Sequence, residues 1–280
     1  PEPFSAGIFE LRYTYPNMTT KNLTRRGMLA AAVGATALAQ QNSGSGTQAV
    51  SPVPTTRDWT GVVPVQYPDP DVIALDPRGQ GESDVPGHGY NFERRSRDIH
   101  ELLAPHRNVL LIGWSLGALE VLEYSHRFGE DKLAGLVLVD SSVGELPVPP
   151  PEGHFLDDLR TDRDKELHDF VHAMYAKPRP ESEQATLLHD VKRMSLDNSI
   201  ALLSSGIPRE HWKECAYAFT KRLLYAVTPQ FEAQAGNLQK NRPGTRVELF
   251  RDAGHALFVD EPERFNALVL EFASTLATPA

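Results

Sequence analysis

The sequence predicts an α/β protein with a mostly parallel sheet and helices on both faces. Three short apolar runs, at residues 72–76, 109–112 and 133–140, have the length and composition of buried strands. Segments with helical spacing of apolar residues separate them, and uninterrupted apolar strands that alternate with helices are typical of parallel sheets. The chain of 280 residues is long enough for one such domain with an insertion.

The first fifty residues resemble an export signal more than a folded core. Arg25 and Arg26 precede an apolar stretch that is too short to span a bilayer, and Ala37 and Ala39 form a small-x-small cleavage pattern. The paired arginines are similar to those of twin-arginine signals. We therefore expect residues 1–50 to be an upstream extension plus this signal, and the protein to be periplasmic or secreted. The alternative is an amphipathic surface helix in a cytoplasmic protein.

The central feature of the chain is the passage from the strand at 109–112 into a helix through Gly-Trp-Ser-Leu-Gly at 113–117. Such a corner strains the backbone of its central residue, Ser115, and its glycines remove side chains where strand and helix cross. The pattern predicts a nucleophile elbow that presents the Ser115 hydroxyl to a substrate. Trp114, next to it, is expected to contact that substrate.

The alternation of strands and helices stops after residue 140. Residues 141–219 begin with a proline-rich connector and continue with helical segments separated by prolines, without a convincing strand. A helical insertion between two sheet strands predicts a cap over the active site. The core would then comprise residues 51–140 and 220–280, with further strands at 222–227 and 246–250.

Three motifs carry a resemblance to a known family. Asp-x-Arg-Gly-x-Gly-x-Ser at 76–83, the elbow at 113–117 and Asp-Ala-Gly-His at 252–255 resemble the α/β-hydrolase superfamily. Within that superfamily the chain resembles especially small capped serine esterases, cofactor-free perhydrolases of the chloroperoxidase type and pimeloyl-ester carboxylesterases. The resemblance covers roughly residues 57–276, and it implies about eight strands, with the nucleophile after strand five and the histidine after the last.

A serine nucleophile needs a base and an acid. Of the ten histidines, His255 alone follows a strand end and a glycine, where the resembling family carries its base. That family most often places its acid a few residues after the strand at 222–227, but this chain has no aspartate there. Asp140 is favoured because it ends the strand that follows the nucleophile, and because the order Ser115, Asp140, His255 is the family's order. Glu232 remains the alternative acid.

The oxyanion hole is only half accounted for. The backbone N–H of Leu116 is one expected donor, and the second usually lies on a loop marked by a His-Gly pair. No such pair precedes residue 76, and the corresponding stretch at 50–59 contains two prolines that cannot donate. Either the N-terminal strands are missing from this sequence or the extension before residue 50 replaces them. Residues 7–15 do alternate like a strand.

These observations predict a serine hydrolase that acts on small carboxylic esters through an acyl-enzyme, without a cofactor. The alternatives are cofactor-free perhydrolysis and a hydrolase-fold binding protein without catalysis. A net charge of −9 without a basic run argues against a nucleic-acid partner, and no stretch is long enough to predict a membrane span. The single cysteine, Cys215, excludes a cysteine-based metal motif, so no metal is predicted.

Overall fold

The computed structural model describes residues 8–10, 64–66, 72–81, 83–149 and 154–276. The predicted export segment and the stretch at 50–59 lie outside these ranges. Among the residues that the structure describes, no helix is both long and apolar enough to cross a membrane.

Seven strands form one sheet in the order β2-β3-β1-β4-β5-β6-β7. The strands are β1 (Ile8–Glu10), β2 (Pro64–Gln66), β3 (Val72–Leu75), β4 (Val109–Trp114), β5 (Leu133–Val139), β6 (Arg222–Val227) and β7 (Arg246–Leu249). All neighbours pair in parallel except β2, which runs antiparallel to β3. The predicted parallel α/β sheet is therefore confirmed.

The helices cover both faces of this sheet. They are α1 (Phe92–Leu102), α2 (Leu116–Phe128), α3 (Phe155–Thr161), α4 (Arg163–Ala173), α5 (Glu181–Val191), α6 (Leu196–Leu203), α7 (Arg209–Ala218), α8 (Glu232–Asn241), α9 (Leu257–Asp260) and α10 (Pro262–Leu276). Successive residues of β4 point into two apolar layers, Leu111 towards α1, α2, α7 and α8, and Ile112 towards α9, α10 and α3 to α5. The alternation explains why β4 reads as one continuous apolar run.

The strand β1 comes from a segment that the sequence analysis placed outside the core. Ile8–Glu10 pairs with β3 on one side and with β4 on the other, so it lies inside the sheet. Its backbone groups find partners on both sides there, as the backbone of a strand inside a sheet requires. Because β1 precedes the predicted export segment, cleavage near Ala39 would remove it from the sheet.

The motif at 76–83 organises the turn that follows β3. The Arg78 side chain forms a buried ion pair with Asp98 of α1, with Nε 2.8 Å from Oδ2. Ser83 Oγ donates to the carbonyl oxygen of Asp76 at 2.6 Å. The motif thus connects the turn after β3 to α1.

In the described residues between β5 and β6 the chain forms five helices, α3 to α7. The described part of residues 141–219 contains no strand, as the interrupted pattern predicted. The connection from α4 to α5 contacts the loop that carries His255: Ala256 N–H donates to the carbonyl oxygen of Met174 at 2.9 Å. The insertion therefore reaches the same end of the sheet as the elbow.

Candidate active site

Ser115 lies at a sharp corner between β4 and α2. Its backbone has φ 55° and ψ −123°, a conformation that is rare and strained for a residue with a side chain. Strand and helix approach so closely that a Cβ on Gly113 would lie 2.7 Å from Ala118 N. Glycine is therefore required at position 113, and the local geometry is that of a nucleophile elbow.

The loop after β7 brings His255 to this corner. Its Nε2 lies 3.0 Å from Ser115 Oγ, and its Nδ1 lies 2.7 Å from Asp140 Oδ2. Both distances are those of hydrogen bonds. The three residues come from the ends of β4 and β5 and from the loop after β7, and we call them the Ser–His–Asp arrangement.

The carboxylate of Asp140 is held at both oxygens. Oδ1 accepts from Thr228 N at 2.7 Å and from Thr228 Oγ1 at 2.8 Å, while Oδ2 faces His255. The side chain is fully buried, and its own backbone N–H donates to the carbonyl oxygen of Ala226 at 2.8 Å. These hydrogen bonds satisfy the buried carboxyl group, as burial requires.

The structure does not bring Glu232 to His255. Glu232 is the first residue of α8, its side chain is 49 % exposed, and it pairs with Arg251 at 2.8 Å. Of the two carboxylates that the sequence offered as the acid, only Asp140 contacts the imidazole.

Trp114 lies behind the histidine. Its indole Nε1 donates to the backbone oxygen of His255 at 2.8 Å, and the two rings have centroids 4.9 Å apart. The side chain is almost completely buried and also packs edge-on against Phe258. This position supports the loop that carries His255, and the expected contact between Trp114 and a substrate stays a prediction.

Asp260 is a site residue that the sequence analysis did not assign. One of its oxygens, Oδ2, accepts from Gly254 N and from Ala176 N, both at 2.8 Å. It therefore ties the residue before His255 to the connection between α4 and α5. No local pattern could have found the contact with Ala176, because Ala176 and Asp260 are 84 residues apart.

Leu116 begins α2, so its backbone N–H belongs to the first turn, where amides have no acceptor within the helix. The partial positive charge of a helix N-terminus also favours an anion at this point. The stretch at 50–59, where the second donor was expected, lies outside the described residues.

A possible metal-binding cluster lies away from this site. Among the described residues, the side chains whose ligand atoms are close enough to share a metal ion are those of Glu123 on α2 and of His211 and Cys215 on α7.

Comparisons with known proteins agree with this geometry. The sequence model of the alpha/beta hydrolase family matches residues 44–268. A pimeloyl-[acyl-carrier protein] methyl ester esterase of Yersinia enterocolitica is 26 % identical over 210 residues, which cover 68 % of this chain and 81 % of that protein.

Two solved structures have the same fold. An esterase from Exiguobacterium antarcticum is 25 % identical with a TM-score of 0.64, over 72 % of this chain and 81 % of its own. A bromoperoxidase from Bacillus anthracis, at 23 % identity, has the same TM-score of 0.64 and the same coverage of 72 % and 81 %. The predicted resemblance is confirmed, and because the family match spans most of the sequence, this chain belongs to the alpha/beta hydrolase family.

Proposed function

We propose that the protein is a serine hydrolase that cleaves small carboxylic esters through an acyl-enzyme intermediate. One observation carries the proposal: a single imidazole, that of His255, is hydrogen-bonded to Ser115 Oγ on one side and to the buried Asp140 carboxylate on the other. This is the geometry that activates a serine hydroxyl, which is a weak nucleophile at neutral pH. The esterase names of similar proteins support an ester as the substrate.

The reaction follows from the positions of these atoms. Ser115 Oγ attacks the ester carbonyl carbon while His255 Nε2 takes the hydroxyl proton, and Asp140 stabilises the resulting imidazolium. The oxyanion that forms accepts a hydrogen bond from Leu116 N–H. His255 then gives its proton to the departing alcohol. Water then attacks the acyl-serine with His255 again as the base, which releases the acid and restores the Ser115 hydroxyl. Ester and water together yield acid and alcohol.

We propose that the helical insertion, residues 141–219, acts as the cap of a core formed by residues 51–140 and 220–280 together with the strand β1. The contacts of Asp260 and of Met174 support this role, because they attach the α4–α5 connection to the loop that carries His255. A cap in this place would exclude water from the acyl-enzyme and select the substrate by shape.

The proposal is tested by Ser115→Ala, with Ser125→Ala as the matched control. Ser125 lies on the same helix, and its hydroxyl bonds only to the carbonyl oxygen of Leu122 among the described contacts. Ser115→Ala should lower the turnover of p-nitrophenyl acetate by about 10⁶-fold and abolish labelling by a fluorophosphonate probe. Ser125→Ala should retain both. Unchanged labelling of the Ser115→Ala protein would refute the assignment of the nucleophile.

A second candidate reaction is cofactor-free perhydrolysis, in which peroxide replaces water as the acyl acceptor. It uses the same three residues, and the shared fold with a bromoperoxidase is compatible with it. Peroxide-dependent formation of peracetic acid from an acetyl ester, lost in Ser115→Ala, would identify this activity. If stoichiometric enzyme released no burst of product with either acceptor, the remaining candidate would be a hydrolase-fold binding protein without catalysis.

We also propose export through the twin-arginine-like segment, for which Arg25 and Arg26 are the support. Replacing both with lysine should leave the protein in the cytoplasmic fraction of the producing cells. Mass spectrometry of the exported wild-type protein would identify its N-terminal residue and show whether Ile8–Glu10, which forms β1, remains in the mature chain. A mature chain that includes these residues would contradict cleavage near Ala39.

A further inference from the structure

A second cluster of reactive side chains lies where α7 packs against α2. Glu123 projects from α2, and His211 and Cys215 project from α7, one helical turn apart. Glu123 and Cys215 are buried, whereas His211 retains access to solvent with a quarter of its side chain exposed. None of the three takes part in the Ser–His–Asp arrangement.

The donor atoms of this cluster converge on one point. His211 Nε2 lies 2.6 Å from Glu123 Oε2 and 3.4 Å from Cys215 Sγ, and all three atoms lie within 4.8 Å of one another. One ring nitrogen of His211 therefore faces two other possible metal-ligating atoms at once. It carries at most one proton, so a neutral imidazole cannot donate a full hydrogen bond to both partners.

The chemistry and spacing of these donors fit a divalent zinc ion. Imidazole, thiolate and carboxylate are the ligands that zinc takes, and tetrahedral bonds of usual length place nitrogen and sulfur about 3.6 Å apart and nitrogen and oxygen about 3.4 Å apart. The observed separation between His211 Nε2 and Cys215 Sγ is 3.4 Å, close to the first value. The separation between His211 Nε2 and Glu123 Oε2 is 2.6 Å, so the carboxylate has to move by roughly 0.8 Å to reach the second value.

We propose that Glu123, His211 and Cys215 form a structural Zn²⁺ site that joins α2 to α7. The thiol loses its proton on coordination, so the carboxylate and the thiolate together balance the charge of the ion. Arg127 binds the other carboxylate oxygen, Oε1, and leaves Oε2 for the metal. Three protein ligands leave the fourth position of a tetrahedral zinc ion to water. The exposed His126 ring lies edge-on to His211, with centroids 4.9 Å apart.

The site would act on the fold and not on the reaction. The helix α7 is the last helix of the insertion, and α2 begins directly after Ser115. A metal between them would fasten the insertion to the helix that positions the nucleophile. The sequence analysis predicted no metal because it considered cysteine spacing, whereas two of these three donors are not cysteines. Glu123 also lies on α2, far along the chain from His211 and Cys215 on α7.

The test is a titration of the full-length, chelator-treated protein with Co²⁺, a spectroscopic substitute for Zn²⁺. Because Cys215 is the single cysteine, a thiolate-to-cobalt charge-transfer band in the near ultraviolet can come from this residue alone. We expect the band to saturate at one equivalent and to disappear when Zn²⁺ is added. The wild-type protein gives this result without any variant that has to fold, and absence of the band at excess Co²⁺ would overturn the proposal.

Variants then identify the other ligands. Cys215→Ser should lose the band while keeping ester hydrolysis, and His211→Ala should weaken Zn²⁺ binding by at least ~10- to 100-fold, the loss that even an outer-shell partner causes. The matched control is His172→Ala, which removes half of the His168–His172 ring pair on α4, where the centroids are 4.2 Å apart. If His172→Ala weakened binding as much as His211→Ala, or if His211→Ala bound as the wild type does, the site would not be the one proposed.

Discussion

Asp140→Asn changes one atom of the Ser–His–Asp arrangement and should move the ring proton of His255 from Nδ1 to Nε2. Thr228 N–H donates to Asp140 Oδ1, and a backbone amide cannot turn round to become an acceptor. The asparagine oxygen must therefore occupy the place of Oδ1, which directs its NH₂ group at Nδ1 of His255. An amide can only donate there, so Nδ1 has to accept, and the ring proton moves to Nε2. In this tautomer His255 cannot take the Ser115 proton.

The size of the effect follows from that tautomer. Loss of the orienting carboxylate with the geometry intact typically lowers turnover by about 10⁴-fold, which corresponds to about 5 kcal/mol of transition-state stabilisation. Glu232→Gln is the matched control, because it makes the same chemical change at the other candidate acid. Glu232 is half exposed and pairs with Arg251, and such surface pairs contribute little. Its activity should stay within about twofold of the wild type.

Both variants are assayed as kcat/KM for p-nitrophenyl acetate, with thermal unfolding measured alongside. Equal unfolding temperatures would show that a loss of activity reflects proton placement and not misfolding. The reasoning is refuted if Asp140→Asn keeps more than about a tenth of the activity, since the wrong tautomer should cost far more. It is refuted as well if Glu232→Gln loses as much as Asp140→Asn.

Three further predictions concern the elbow, the core and the histidine loop. Gly113→Ala should lower the free energy of urea unfolding by about 1–3 kcal/mol or more, because the new methyl group meets the backbone of α2, whereas Gly236→Ala, with open space around it, should not. Burial raises the pKa of the Glu120 carboxyl to about 7 from its usual 4.5, so the folded protein holds a proton that the unfolded chain releases. Stability should then fall by roughly 2–3 kcal/mol between about pH 5 and pH 8, and Glu120→Gln should remove that part of the fall in urea unfolding. Asp260→Ala should lower kcat for p-nitrophenyl acetate by about 10²-fold through displacement of the histidine loop, while the exposed Asp252→Ala should not.

Each of these has a contrary result. Equal stability of the Gly113→Ala and Gly236→Ala proteins would mean that the elbow has room for a side chain. An identical pH dependence of stability in the wild type and in Glu120→Gln would place the pKa of that carboxyl near its usual value. Full activity of Asp260→Ala would show that the histidine loop holds its position without the contact to the insertion.

Local patterns were sufficient for the elements that bury one continuous apolar run. The sequence predicted strands at 109–112 and 133–140, and the structure has Val109–Trp114 and Leu133–Val139, because such runs are stable only between two covered layers. The elbow was also predictable, since the glycine at 113 is a local steric requirement. His255 could be singled out because a strand end and a glycine precede it.

Contacts between distant segments were beyond the reach of these patterns. The choice between Asp140 and Glu232 depends on Thr228, which is 88 residues away from Asp140 and supplies the hydrogen bonds that hold the carboxylate. The strand Ile8–Glu10 finds its place only through β3 and β4, far along the chain. Composition and periodicity indicate which element a segment can form, but they do not indicate which distant segment that element packs against.

The position of Asp140 at the end of β5 makes the site depend on two neighbouring strands. Thr228, just after β6, stands close to where the commonest family pattern has its aspartate, and it donates to the carboxylate that approaches from the neighbouring strand. Two adjacent strand ends thus hold one carboxylate between them: β5 supplies it, and the residue after β6 supplies its hydrogen-bond donors. A substitution at either strand end therefore changes the surroundings of the group that contacts His255.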